Sequence, residues 1–156
     1  MKRIAVALVV ASACSGVDTG GSQPLPDLDV DAYARDVHPI LEARCATLDC
    51  HGVDDRPLRL YAETGLRARD DLRDQPIEPG ELAADVRAIE AIDPAAPPAD
   101  SLFIRKPSGA VFHVGGTLWT ARDDPQLLCA LAWLSGERDA DACALAADQV
   151  ALPPPP

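Results

Sequence analysis

Cys45, Cys50 and His51 place two thiols and an imidazole within one short stretch, with the imidazole directly after the second thiol. Two cysteines in this order can form thioethers to the vinyl groups of a porphyrin, leaving the next histidine as the first axial ligand to its iron. That is the chemistry of covalent haem attachment. Two residues commonly separate the cysteines, whereas four, Ala46-Thr47-Leu48-Asp49, do so here. The longer spacer must bulge if both sulfurs are to meet the ring edge. A Cys45–Cys50 disulfide beside an ordinary surface His51 is the competing reading of the same residues.

The start of the chain bears on that choice. Lys2-Arg3, the apolar run from Ile4 to Val10 and the small residues Ala11-Ser12-Ala13 follow the order of an export signal. The run is shorter than the roughly 20 apolar residues that span a bilayer as a helix. Residues 1–13 are therefore expected to be a cleaved signal peptide. Ala11-Ser12-Ala13-Cys14 resembles a bacterial lipoprotein box, with Ala11 where leucine is more usual, and makes Cys14 the expected lipidated N-terminus. Five cysteines then divide into Cys14 and two pairs, Cys45 with Cys50 and Cys129 with Cys143, a partition suited to an oxidising compartment. A Cys129–Cys143 bridge would pin the segment after Gly136 to the preceding helix, stabilising by ~3 kcal/mol in the loop-entropy model. Zinc held by Cys45, Cys50 and His51 fits that compartment poorly.

The net charge is -11, and losing Lys2 and Arg3 leaves 12 basic against 25 acidic residues, or -13. Such a surface excludes nucleic acid as a natural partner. The length suits one domain, and an aromatic content of 4% leaves Leu, Ile, Val and Ala to build most of its core. A flat porphyrin would add the aromatic bulk that the side chains lack.

Punctuation along the chain separates a tether (residues 14–27) rich in Gly, Ser, Asp and Pro, a folded domain (28–146) and a Pro-rich tail (147–156). Within the domain, Asp31 can cap a helix whose Ala34, Val37, Leu41 and Cys45 share a face, with a kink or restart at Pro39. A second helix follows Pro79-Gly80, buries Leu82, Val86, Ile89 and Ile92, and stops before Pro94. Ser101 to Ile104 form a short helical turn. Pro107 to Thr120, with Ser108-Gly109 and Gly115-Gly116, reads as an irregular loop around His113. Asp123 or Asp124 caps the clearest helix, which carries Leu127, Leu128, Leu131, Trp133 and Leu134 and ends at Gly136. The acidic pairs Asp54-Asp55, Asp70-Asp71 and Asp123-Asp124 read as solvated turns and caps. No spacing supports a Ser-His-Asp or paired-carboxylate catalytic site.

This order resembles the class I c-type cytochromes. Val37-His38-Pro39-Ile40-Leu41, Cys50-His51-Gly52, Leu58-Arg59-Leu60, Ser101-Leu102, His113-Val114-Gly115-Gly116 and Leu131-Ala132-Trp133-Leu134 are similar to the single-haem domains of exported bacterial lipoproteins. The resemblance extends from about Asp31 to Gly136. It implies a mostly α, cytochrome c-like fold in which N- and C-terminal helices cross around one covalently bound haem c, with long irregular loops. It also implies an electron carrier rather than an enzyme, working with a redox partner protein in the cell envelope, held to the membrane by Cys14 and facing the periplasm or cell surface.

The usual second ligand in that family comes from a later loop, and Met1, the only methionine, leaves with the signal. The resemblance places His113 at the distal loop, where flanking glycines would let the backbone approach the porphyrin. His51 and His113 are thus the expected iron ligands, with His38 read as a solvated helix residue. Histidine in place of methionine lowers the potential. Two alternatives remain: a haem-free, disulfide-stabilised surface lipoprotein acting as an interaction module, and a haem sensor or peroxidase-like accessory with an open sixth position.

Overall fold

The computed structural model describes residues 25–151. The signal peptide, Cys14, the tether through residue 24 and the end of the proline tail lie outside the described residues. The chain is mostly helical, and its only sheet-like pairing among the described residues is one parallel bridge between Tyr61 and Leu66.

Helix α1 covers residues 30–44 in three pieces: α-helical Val30–Ala32, a π-helical turn Tyr33–Val37, and α-helical His38–Arg44. Its cap is Asp29, two residues before the expected Asp31; the Asp29 carboxylate accepts the N–H groups of Asp31 and Ala32 at 2.8 and 2.9 Å. Pro39 has no N–H for the carbonyl of Arg35. The chain meets this by widening the turn before it, with the His38 N–H bonding five residues back to Tyr33 O. The rod continues through the proline instead of restarting after it.

Helix α2 (Pro79–Ile92) begins where Pro79 predicts. The Glu81 carboxylate accepts the Glu78 N–H at 3.0 Å, satisfying one of the first-turn donors. Val86 and Ile89 are buried as expected, while Leu82 and Ile92 are half-buried. The same helix also buries two acids, Glu81 and Asp85. Helix α3 (Leu102–Arg105) is the short turn capped by Ser101. Helix α4 (Pro125–Leu134) is capped by Asp124 and followed by Gly136 at φ 74°. Its fully buried residues are Gln126, Cys129, Ala130, Trp133 and Leu134, so the expected Leu127, Leu128 and Leu131 flank the buried stripe.

Helix α5 (Ala140–Ala151) runs five residues into the segment read as tail and buries Ala142, Cys143 and Ala146. Cys129 and Cys143 are bonded, which ties α5 to α4. At the other end, Leu25 packs on the core and Pro26 lies beside Gly136, so contact with the domain begins before Leu28.

Few aromatics make the core, but they are concentrated. Trp133 lies 5.2 Å from Tyr33 and 6.4 Å from Phe103, whose other edge meets Trp119 at 6.4 Å. The Trp133 indole N–H donates to Asp29 O at 2.9 Å, joining α4 to the start of α1. Around this centre Val37, Ile40, Leu41, Leu60, Ile89 and Leu134 are fully buried. Each contributes ~1.5–3 kcal/mol relative to exposure.

Candidate functional site

Helix α1 ends by delivering Cys45 to the core, its N–H still bonded to Leu41 O at 2.7 Å. The chain then folds back on itself. His51 N–H donates to Cys45 O at 2.9 Å, so the two ends of the attachment segment are joined by backbone despite the four-residue spacer. Thr47, Leu48 and Asp49 project into solvent, Leu48 being 60% exposed. Thr47 to Asp49 thus turn outward as a short exposed loop between the thiols. Gly52 makes the closure possible, because a Cβ there would lie 2.2 Å from Ala46 O.

Cys45 and Cys50 are not bonded to each other, and both are half-buried. Burial, with Cys50 beside it, pushes the Cys45 thiol up to about 12.

His51 is half-buried, with Nδ1 2.9 Å from Leu58 O. A carbonyl only accepts, so Nδ1 carries the proton and Nε2 is left with a free lone pair. Burial lowers the His51 pKa, and His113, Arg56 and Lys106 add to this against the opposing Leu58 hydrogen bond. A neutral imidazole with an available Nε2 is the form that binds a metal.

His113 reaches the same place from the long loop. Pro107 O accepts the N–H groups of Leu118 and Trp119 at 2.8 and 3.1 Å, closing the loop at its base. Gly116 turns the chain at φ 77°, and its N–H returns to His113 O at 3.0 Å. Gly115 lies against the imidazole, where a Cβ would come 3.1 Å from Cε1. Phe112 and Val114 are 84% and 91% exposed, so alternation leaves His113 turned towards the protein between them. Its Nδ1 is 3.0 Å from Gly116 O, which again reserves Nε2.

The two histidines line one cavity of about 670 Å³ including its open mouth. Leu41, Cys45, Pro57, Leu58, Leu60, Ile92, Leu102, Phe103, Pro107 and Trp119 line it with them, and Lys106 is the one cation among the lining residues. The imidazole centres are 6.1 Å apart and their planes 13° from parallel. Among the described residues, no three His, Cys, Asp or Glu side chains converge as a cage for a bare metal ion. A porphyrin supplies four ligands of its own, so two histidines suffice for its iron.

Cys45, His51 and His113 therefore meet at one cavity, while Cys50 lies on the loop beside it. His38 does not. It is 6% exposed, not solvated as expected, with Nε2 3.1 Å from Tyr61 O, behind the cavity rather than in it. The role of Leu58 O in holding His51 and the place of Lys106 at the cavity were not evident from sequence, since neither backbone carbonyls nor a single lysine leaves a spacing signal. No protein-family model, curated protein or solved structure matches this chain.

Proposed function

We propose that this chain is a monohaem c-type cytochrome that carries single electrons, with haem c bound through Cys45 and Cys50 and with His51 and His113 as axial ligands. The observation that carries the reading is the pairing of two imidazoles across one apolar cavity, each with Nδ1 tied to a carbonyl and Nε2 free. The packing of α4 on the start of α1 through Trp133 and Asp29 is in keeping with a cytochrome c-like crossing of terminal helices.

Haem c would supply the one-electron couple. The protein's part is to hold, orient and shield. Leu58 O fixes the ring of His51 and raises the basicity of its Nε2, as outer partners of ligating histidines do. Gly116 O fixes the ring of His113 in the same way. Bis-histidine ligation would lower the potential, while the apolar lining, by disfavouring the extra charge of the ferric state, would work against it.

Expression with a cytochrome c maturation system should yield protein that keeps its haem through acid-acetone extraction, with a pyridine haemochrome spectrum and the added mass of one haem. Apo mass under those conditions overturns the reading.

The proposal extends to an envelope protein anchored by lipid on Cys14, which would serve a redox partner at the periplasmic side or cell surface. Several acyl chains at ~0.8 kcal/mol per buried methylene hold a soluble domain at a bilayer. Cys14→Ser should release the protein from the membrane fraction or stall its processing; wild-type protein that is soluble and starts elsewhere than Cys14 would exclude the anchor.

A further inference from the structure

Behind the cavity lies a second cluster of titratable groups that neither attachment nor ligation uses. Asp85 on α2 is 0% exposed. Its Oδ2 accepts the Tyr33 hydroxyl at 3.0 Å and its Oδ1 the Tyr61 N–H at 2.9 Å. Among the described residues its one basic neighbour within 4.0 Å is His38, with Nε2 at 4.0 Å. The other ionisable groups facing it are acids: Glu42 on α1 and Glu81 on its own helix, the latter paired with Arg67. A carboxylate so placed has two hydrogen bonds and, apart from His38, no basic side chain within 4.0 Å among the described residues.

The segment Leu58–Tyr61 joins this cluster to the cavity. Leu58 O holds His51 Nδ1 at 2.9 Å, and Leu60 N–H donates to His51 O at 2.9 Å. Tyr61 gives its N–H to Asp85 and accepts His38 Nε2 at 3.1 Å. Leu58 and Leu60 line the cavity while Tyr61 faces the acid. One short piece of backbone thus contacts both sites.

Resting on the cytochrome reading above, we propose that Asp85, with Tyr33 and His38 around it, is a proton-binding site coupled to the redox state of the cavity. When the ferric centre takes one electron from an external one-electron donor, one proton from solvent converts the Asp85 carboxylate to carboxylic acid, and oxidation releases it. Only an O–H bond forms or breaks. The added negative charge in the core disfavours the ionised acid. By Coulomb's law a charge added at the cavity acts on the acid behind it and shifts its equilibrium towards the protonated form. Burial, opposed by the Tyr61 and Tyr33 hydrogen bonds and aided by Glu81 and Glu42, raises Asp85 to about 7, where such coupling operates at physiological pH.

Redox titration of the haem-loaded protein across neutral pH tests this. The potential should fall as pH rises through the Asp85 transition; a tenfold difference in proton affinity between the two redox states corresponds to ~59 mV for one electron. Asp85→Asn should flatten that slope without altering the low-spin spectrum, and should abolish a carboxylic-acid band in the reduced-minus-oxidised infrared difference spectrum. Tyr33→Phe, which removes one stabilising donor, should move the transition to higher pH and decides the matter if Asp85→Asn does not fold. Haem attached and a potential independent of pH near neutrality, or a slope unchanged in Asp85→Asn, overturns this inference alone. Protein without covalent haem overturns the functional reading, and this inference with it.

Discussion

His113→Ala protein is expected to retain haem on Cys45 and Cys50 but to change from a low-spin to a high-spin spectrum. Cyanide and carbon monoxide should then bind readily, and the potential should shift. The expectation follows from geometry: His51 and His113 enter the cavity from separate segments, so deleting one imidazole leaves the attachment segment intact. His38→Ala should leave the spectrum low-spin, because that ring is engaged by Tyr61 O behind the cavity. Visible spectra of the purified variants decide. A low-spin His113→Ala protein would remove His113 from the ligand set, and a high-spin wild type would favour the sensor or peroxidase-like alternative.

The other large effect lies away from the cavity. Arg67 and Glu81 form an ion pair at 2.7 Å with both side chains 2% exposed. Glu81 also accepts the N–H groups of Ala68 and Glu78, and Arg67 donates to the carbonyls of Leu72, Gln75 and Pro76. Arg67→Met would leave the buried Glu81 carboxylate without its cation and the Leu72 carbonyl without its donor, a loss of about 3–5 kcal/mol. Denaturant unfolding at neutral pH measures it. A loss below ~1 kcal/mol would mean that the pair behaves as a surface bridge.

Acid should narrow that difference. Burial alone would raise Glu81, but the bonds from Arg67, Ala68 and Glu78 outweigh it and hold the carboxyl at about 2. A depressed folded-state pKa contributes stability that is present above the unfolded value of ~4.3 and is lost as pH falls towards the folded one. Wild type therefore loses this contribution between those values. In Arg67→Met the stranded acid protonates more readily, so the two proteins should converge as the solution is acidified.

Helix α4 was legible because Asp124, Pro125 and Gly136 mark both ends, and α2 because Pro79 opens it. Cys45, Cys50 and His51 stood out by residue type, and the outward turn of Thr47 to Asp49 follows from the length of chain between the two thiols. What escaped the sequence has a common physical cause. Glu81, Asp85 and His38 are polar residues on amphipathic helices, and such residues ordinarily face water; only partners far along the chain make their burial tolerable. Arg67 is 14 positions from Glu81, and Tyr61 is 24 from Asp85. No local pattern announces such pairs. Helix α5 escaped because its buried face is Ala142, Cys143 and Ala146, too small to give a strong apolar period.

The backbone bond from His51 to Cys45 makes the attachment segment a closed ring with an appendage. Leu48 and Asp49 form its outermost part, and Thr47 O already receives the N–H groups of Cys50 and Gly52. Chain length at that tip is therefore decoupled from the spacing that the chemistry needs. Residues could be added between Leu48 and Asp49 as in any surface hairpin, with a closure cost that grows only logarithmically. The number of residues between the two thiols becomes a free variable of this architecture rather than one of its constants.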